Sequence, residues 1–217
     1  MKRPTSPLAL AVLVLLFEKP MHPYEMASTM RARGKEKSIK LRYGSLYTVI
    51  DSLEAAALIV PTETVRDGAR PERTVYAITP AGRAEMNDWL REWIARPEKE
   101  YLRFEAGLSL LPALPPDHVI DLLRDRLARL DPLIAEVDAE LTTGAAQEVP
   151  QLFLIESEYQ RALLLAERQF VIGLITQMEA GTLGGLDLWR GWHQQRAAAE
   201  KTASTTGPAC AGPPSTQ

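Results

Sequence analysis

Cysteine is almost absent: Cys210 is the only one in 217 residues. No disulfide can form within the chain, which favours a reducing, cytoplasmic setting and excludes a disulfide-stapled fold. Histidine is scarce too. His22, His118 and His193 stand far apart and none falls in a metal-ligand spacing, so neither a metal site nor any other cofactor is expected. The glycines build no phosphate-cradling loop, and no nucleophile, base and orienting group present themselves as a set, which leaves enzymes the least suited class. Apolar runs stay short of the ~20 residues that cross a bilayer, so no membrane partner is expected. One run, residues 8–17, follows Met1-Lys2-Arg3 like the front of a signal peptide. It ends in Phe17-Glu18-Lys19-Pro20 with no small-residue cleavage site, and reads instead as a buried helix with Ser6 as N-cap and Pro7 at its first position. A helix apolar on every side needs cover from several directions.

What is present is a globular composition, 46% hydrophobic and 24% charged, enough for a real core in one large domain or two small ones. The net charge of −3 hides an asymmetry. Residues 1–88 hold 13 Lys and Arg against 10 Asp and Glu; the remainder holds 12 against 18. A basic half joined to an acidic half suits one part that meets a polyanion and another that meets something else.

Residues 43–58 are the centre of the basic half. Leu46, Val49, Ile50, Leu53 and Ala57 fall at helical spacing and predict one buried stripe. Ser45, Tyr47, Thr48, Asp51, Ser52 and Glu54 occupy the other face. Gly44 opens the helix, and Arg31, Arg33, Lys35, Lys37, Lys40 and Arg42 approach it with only Glu36 opposing. Such a helix start can reach base edges, while its amides meet a phosphate. The plainer alternative is a core helix behind a solvated basic loop.

The order of elements favours the first reading. Helices over residues 6–18 and 24–33 precede this one. Strands follow at residues 62–65 and 74–79 around the turn Asp67-Gly68-Ala69-Arg70-Pro71, which carries Arg66, Arg70 and Arg73. Thr79 and Pro80 then start a fourth helix with Met86, Trp89, Leu90 and Trp93. Three helices and a basic-tipped hairpin predict a winged helix-turn-helix: the third helix in a major groove, the wing on phosphates or in the minor groove.

The sequence resembles the PadR family of transcriptional regulators. The resemblance rests on His22-Pro23-Tyr24-Glu25, Gly44-Ser45-Leu46-Tyr47, Leu53-Glu54, Leu58-Ile59, then Gly68, Arg70-Pro71, Arg73, Val75-Tyr76, Thr79 and Ala81-Gly82. It covers about the first 95 residues. Thr48 stands where the family commonly has proline, and Ala69 lengthens the step from Gly68 to Arg70. The resemblance implies a homodimer on an inverted-repeat operator in double-stranded DNA, usually repressing, released by a small-molecule effector. The expected DNA-binding residues are Lys40, Arg42, Tyr43, Ser45, Tyr47, Thr48, Arg66, Arg70 and Arg73.

Beyond the hairpin the pattern is helical. Ile120, Leu123, Leu127, Leu130, Ile134, Val137 and Leu141 form a heptad-like seam in a helix that should kink at Pro132. A turn is expected over residues 142–150 around Gly144. A helix over residues 151–180 then carries Ile155, Tyr159, Ala162, Ala166 and Phe170 on one stripe, and a last helix spans residues 186–199. Seams this long suit pairing between two copies; the alternative is packing within the chain. Trp89, Trp93, Tyr101 and Phe104, where the halves meet, could sandwich a flat effector or simply pack. The expected class is therefore mainly α with a small β-hairpin: a winged helix-turn-helix at residues 1–97, an all-helical dimerisation and effector domain at 98–200, and a disordered tail at 201–217, poor in apolar residues. The alternative function is an adaptor whose wing and helical arm bind protein rather than DNA.

Overall fold

The computed structural model describes residues 6–36, 38–39, 42–65 and 73–205. The chain divides into two compact units, residues 1–100 and 101–217.

In the first unit, α1 (Pro7–Glu18) begins as its sequence predicts. The Ser6 hydroxyl accepts from the Ala9 amide and Pro7 occupies the first turn. Leu8, Ala9, Leu10, Val12, Leu13, Leu15 and Leu16 are all buried, because later elements close over the helix from several sides. Each fully buried leucine contributes about 1.5–3 kcal/mol relative to an exposed one. Helix α2 (Pro23–Ala32) is capped by His22, whose Nδ1 accepts from the Tyr24 amide at 3.1 Å. Helix α3 (Tyr43–Ala55) buries Leu46, Ile50 and Leu53 against this core.

Helix α3 ends three residues before the sequence expectation. Leu58 N–H bonds the Leu53 carbonyl and Ala57 N–H the Glu54 carbonyl, a Schellman ending. Ala57 sits at φ +55°, the left-handed position glycine usually takes, and is exposed instead of extending the buried stripe. The chain passes directly into β1 (Ile59–Val65), which pairs antiparallel with β2 (Arg73–Ile78). Ile59 faces Ile78 and Val60 faces Ala77; the register shifts between Pro61 and Glu63, beside a proline with no ladder N–H.

Helix α4 (Pro80–Ala95) is locked to the end of α3. Thr79 Oγ1 accepts from Gly82 N–H at 2.9 Å and donates to the Ala57 carbonyl at 2.8 Å. A Cβ on Gly82 would lie 2.0 Å from the Leu58 carbonyl oxygen, so only glycine admits this approach.

The second unit holds α5 (Arg103–Ser109), α6 (Pro116–Ala146), α7 (Ile155–Glu179) and α8 (Leu186–Thr205). Arg124 pairs with Glu179 at 2.6 Å, Asp131 with Arg168 at 2.7 Å, and Asp138 with Arg161, so α6 and α7 run antiparallel. These partly exposed pairs each contribute less than about 1 kcal/mol; they fix register more than stability. Along the α6 seam Ile120, Leu123, Leu130, Ile134 and Val137 are buried within this one chain, the alternative that the sequence left open, and Val171, Ile175 and Met178 of α7 close its first part.

Two boundaries also move. Helix α6 carries Pro132 inside it, where the proline has no donor for the carbonyl of the exposed residue Ala128. It also runs past Gly144 to Ala146, because Gly144 lets the Leu154 side chain close against the helix, 2.8 Å from where a Cβ would stand. Helix α8 takes in residues 201–205 of the expected tail; residues 206–217, with Cys210, lie outside the described residues. Among the described residues no helix is long and apolar enough to cross a membrane, and no group of three His, Cys, Asp or Glu could hold a metal ion.

Candidate nucleic-acid interface

Because Leu46, Ile50 and Leu53 hold one face of α3 in the core, the helical repeat turns Gly44, Ser45, Tyr47, Thr48 and Asp51 to solvent. Arg42, in extended backbone at the N-cap, is exposed and gives no side-chain cap. The first intrahelical bond here runs from Leu46 N–H to the Arg42 carbonyl, and the Gly44 and Ser45 amides have no partner among the described residues. A Cβ on Gly44 would meet nothing within 4 Å. No packing among the described residues requires glycine there. Thr48 Oγ1 donates to the Gly44 carbonyl at 3.0 Å, and Ser52 Oγ donates to the Thr48 carbonyl at 2.7 Å.

The hairpin root is fastened beside this helix. Tyr76 of β2 exchanges both backbone hydrogen bonds with Met21, at 3.0 and 3.1 Å, which ties the strand to the turn between α1 and α2. Its ring packs on the core, within the electrostatic reach of Glu54 and Asp51 of α3. Burial raises the Tyr76 pKa above the usual phenol range, and the Glu54 and Asp51 carboxylates raise it further. Tyr76 therefore sets the hairpin against α3, a role hidden from sequence reasoning because its partners are 22 and 55 residues away. Its one signal is an aromatic at the inward position of an alternating strand.

Of the expected site residues, Arg42, Ser45, Tyr47 and Thr48 share one exposed surface at the start of α3. Tyr43 and Arg73 are the first residues of α3 and β2. Lys40, Arg66 and Arg70 lie outside the described residues, as does the hairpin turn. The basic approach to α3 is less available than its composition implies. Arg33 makes a two-pronged pair with Glu18, at 2.5 and 2.7 Å, and Arg31 meets Glu36 at 3.1 Å. The Arg33 guanidinium holds the Glu18 carboxyl below its usual range, against the opposing effect of burial.

The aromatic residues weighed as an effector site occupy separate surroundings. Trp89 is buried in the core of the first unit. Trp93 is half exposed and lines a cavity of about 670 Å³ with Pro7, Glu92, Arg96, Glu98 and Glu100. In the second unit, Tyr101 is exposed, while Phe104 meets Phe170 edge-on at 6.5 Å beneath the Arg126 guanidinium at 3.7 Å.

Residues 12–88 match the Transcriptional regulator PadR-like family. No curated protein matches the chain. The fold is similar to Bacillus subtilis PadR solved in complex with operator DNA, at 18% identity over 79% of this chain and 98% of that one, with a TM-score of 0.62. It is also similar to Bacillus subtilis PadR in complex with p-coumaric acid, at 16% identity, 82% and 99% coverage and a TM-score of 0.63. The Vibrio cholerae virulence activator AphA is similar at 15% identity, 80% and 98% coverage and a TM-score of 0.60.

Proposed function

Because residues 12–88 are a PadR-like transcriptional regulator domain, we propose that this chain is a cytoplasmic, homodimeric, sequence-specific DNA-binding repressor that leaves an inverted-repeat operator when a small molecule binds. The observation that carries the reading is the opening of α3. Its amides, hydroxyls and Tyr47 are exposed behind Arg42, with no acidic residue in the first turn. That surface suits base edges and phosphates of a major groove. Arg66, Arg70 and Arg73 of the hairpin would hold the adjacent backbone or minor groove.

The dimer would present two copies of α3 about 34–36 Å apart, one turn of duplex. Its seam would be α7, where Ile155, Tyr159, Leu163 and Phe170 remain exposed at helical spacing. Support for operator binding and effector release comes from Bacillus subtilis PadR, solved with operator DNA and with p-coumaric acid. AphA is named an activator, and a reporter assay would check the repressing sign proposed for this chain.

The test is a gel-shift titration over a range of salt with the DNA selected by the purified protein. Replacing Arg70 and Arg73 together by alanine should weaken binding and lower the slope of log affinity against log salt by about 2, close to 0.9 for each phosphate no longer neutralised. Unchanged affinity and slope would overturn the wing assignment. Absence of salt-dependent binding to any duplex would overturn the whole reading in favour of a protein-binding adaptor.

A further inference from the structure

A groove of about 850 Å³ lies between the openings of α1 and α3. Among the described residues its charged and polar lining is Arg42, Ser6, Ser38, Ser45 and Thr48, with no carboxylate, although the chain as a whole carries more acidic than basic residues. Ser6 Oγ already accepts from the Ala9 amide, so the Ser6 O–H remains to be donated outward. Leu8, Gly44 and Ser45, whose amides have no backbone partner among the described residues, border the same groove at the first turns of α1 and α3. Thr48 spends its hydroxyl hydrogen on the Gly44 carbonyl, so the donors left are the Arg42 guanidinium, the Ser6, Ser38 and Ser45 hydroxyls and the first amides of the two helices, a set that suits a tetrahedral oxyanion.

We propose that this groove seats a backbone phosphate of the duplex, so that the start of the first helix grips DNA alongside α3 and the hairpin. The proposal rests on the DNA-binding reading. It selects duplex phosphate over free phosphate because Arg42, Ser45 and Thr48 belong both to the groove and to the face offered to bases. The contact carries no sequence information; it adds affinity equally on every duplex and fixes register.

Ser6→Asp and Ser6→Asn separate this from a structural role, because aspartate and asparagine both cap helices as well as serine. Ser6→Asp, folded as wild type by circular dichroism and melting temperature, should bind operator and random duplex about tenfold more weakly and lose about 0.9 from the salt slope. Ser6→Asn should match wild type on both. If Ser6→Asp binds both duplexes as wild type does, the groove assignment fails while the DNA-binding reading stands. If wild type binds no duplex, it is the functional reading that fails. A loss confined to operator would place Ser6 at a base edge and overturn the proposal. So would inorganic phosphate that raises the melting temperature of wild type but not of Ser6→Asp, with DNA binding equal in the two.

Discussion

The two compact units finish their burial to different extents. In the first, α1 is apolar all round, and its neighbours take up that surface from several sides. In the second, α6 closes its seam within the chain, but α7 keeps Tyr159, at 66% exposure, and Leu163, at 54%, open to solvent. The difference lies in the number of neighbours. A helix with three packing partners can be apolar throughout, whereas one paired mainly with a single helix keeps a second face that its own unit leaves exposed. In the proposed dimer a second copy would cover this open face of α7.

The sharpest way to break this contrast is to charge the open face. Tyr159→Glu combined with Leu163→Glu should weaken the proposed dimer on the order of a thousandfold, the effect of burying unpaired carboxylates. Sedimentation across a concentration series should then report only the 24.1 kDa chain. A particle of unchanged mass would move the seam elsewhere. Next in size is Gly82→Ala. Its methyl must push α4 off the Leu58 carbonyl, at a cost of about 3 kcal/mol. Hydrogen exchange should accelerate in α1 and α4 and stay unchanged in α6 and α7; equal acceleration in both units would show that they are not independent. The smallest effect belongs to Glu18→Gln. The lowered pKa of Glu18 means that its pair with Arg33 adds stability above the ordinary carboxylate value, about pH 4.3, and loses it as pH falls through the lower folded value. Both side chains are well exposed, so the contribution is about 0.5 kcal/mol. Melting temperatures of variant and wild type should differ slightly at pH 7 and converge once the pH has fallen through the lowered Glu18 value.

Legibility in the sequence followed the range of the interaction. Periodicity placed Leu46, Ile50 and Leu53 in the core, and local chemistry placed the Ser6 and Thr79 caps, because each such signal spans only a few residues. The end of α3 was hidden because alanine, not glycine, occupies its left-handed position. Gly144 misled in the opposite sense: it reads as a turn, and it is a helical glycine over which the Leu154 side chain closes from ten residues on. At the candidate interface, the hydroxyl-rich opening of α3 was visible in the sequence. The withdrawal of Arg33 from the basic approach was not, since Glu18 lies fifteen residues earlier and on another helix.

Thr48 carries a consequence for what an operator could contain. Its hydroxyl hydrogen is committed to the Gly44 carbonyl, so the side chain offers outward only a methyl group and oxygen lone pairs. Such a surface complements the thymine methyl or the cytosine amino hydrogens and has nothing to donate to the two acceptors on guanine's major-groove edge. While that bond persists, half-sites with a pyrimidine opposite Thr48 should outcompete those with guanine there.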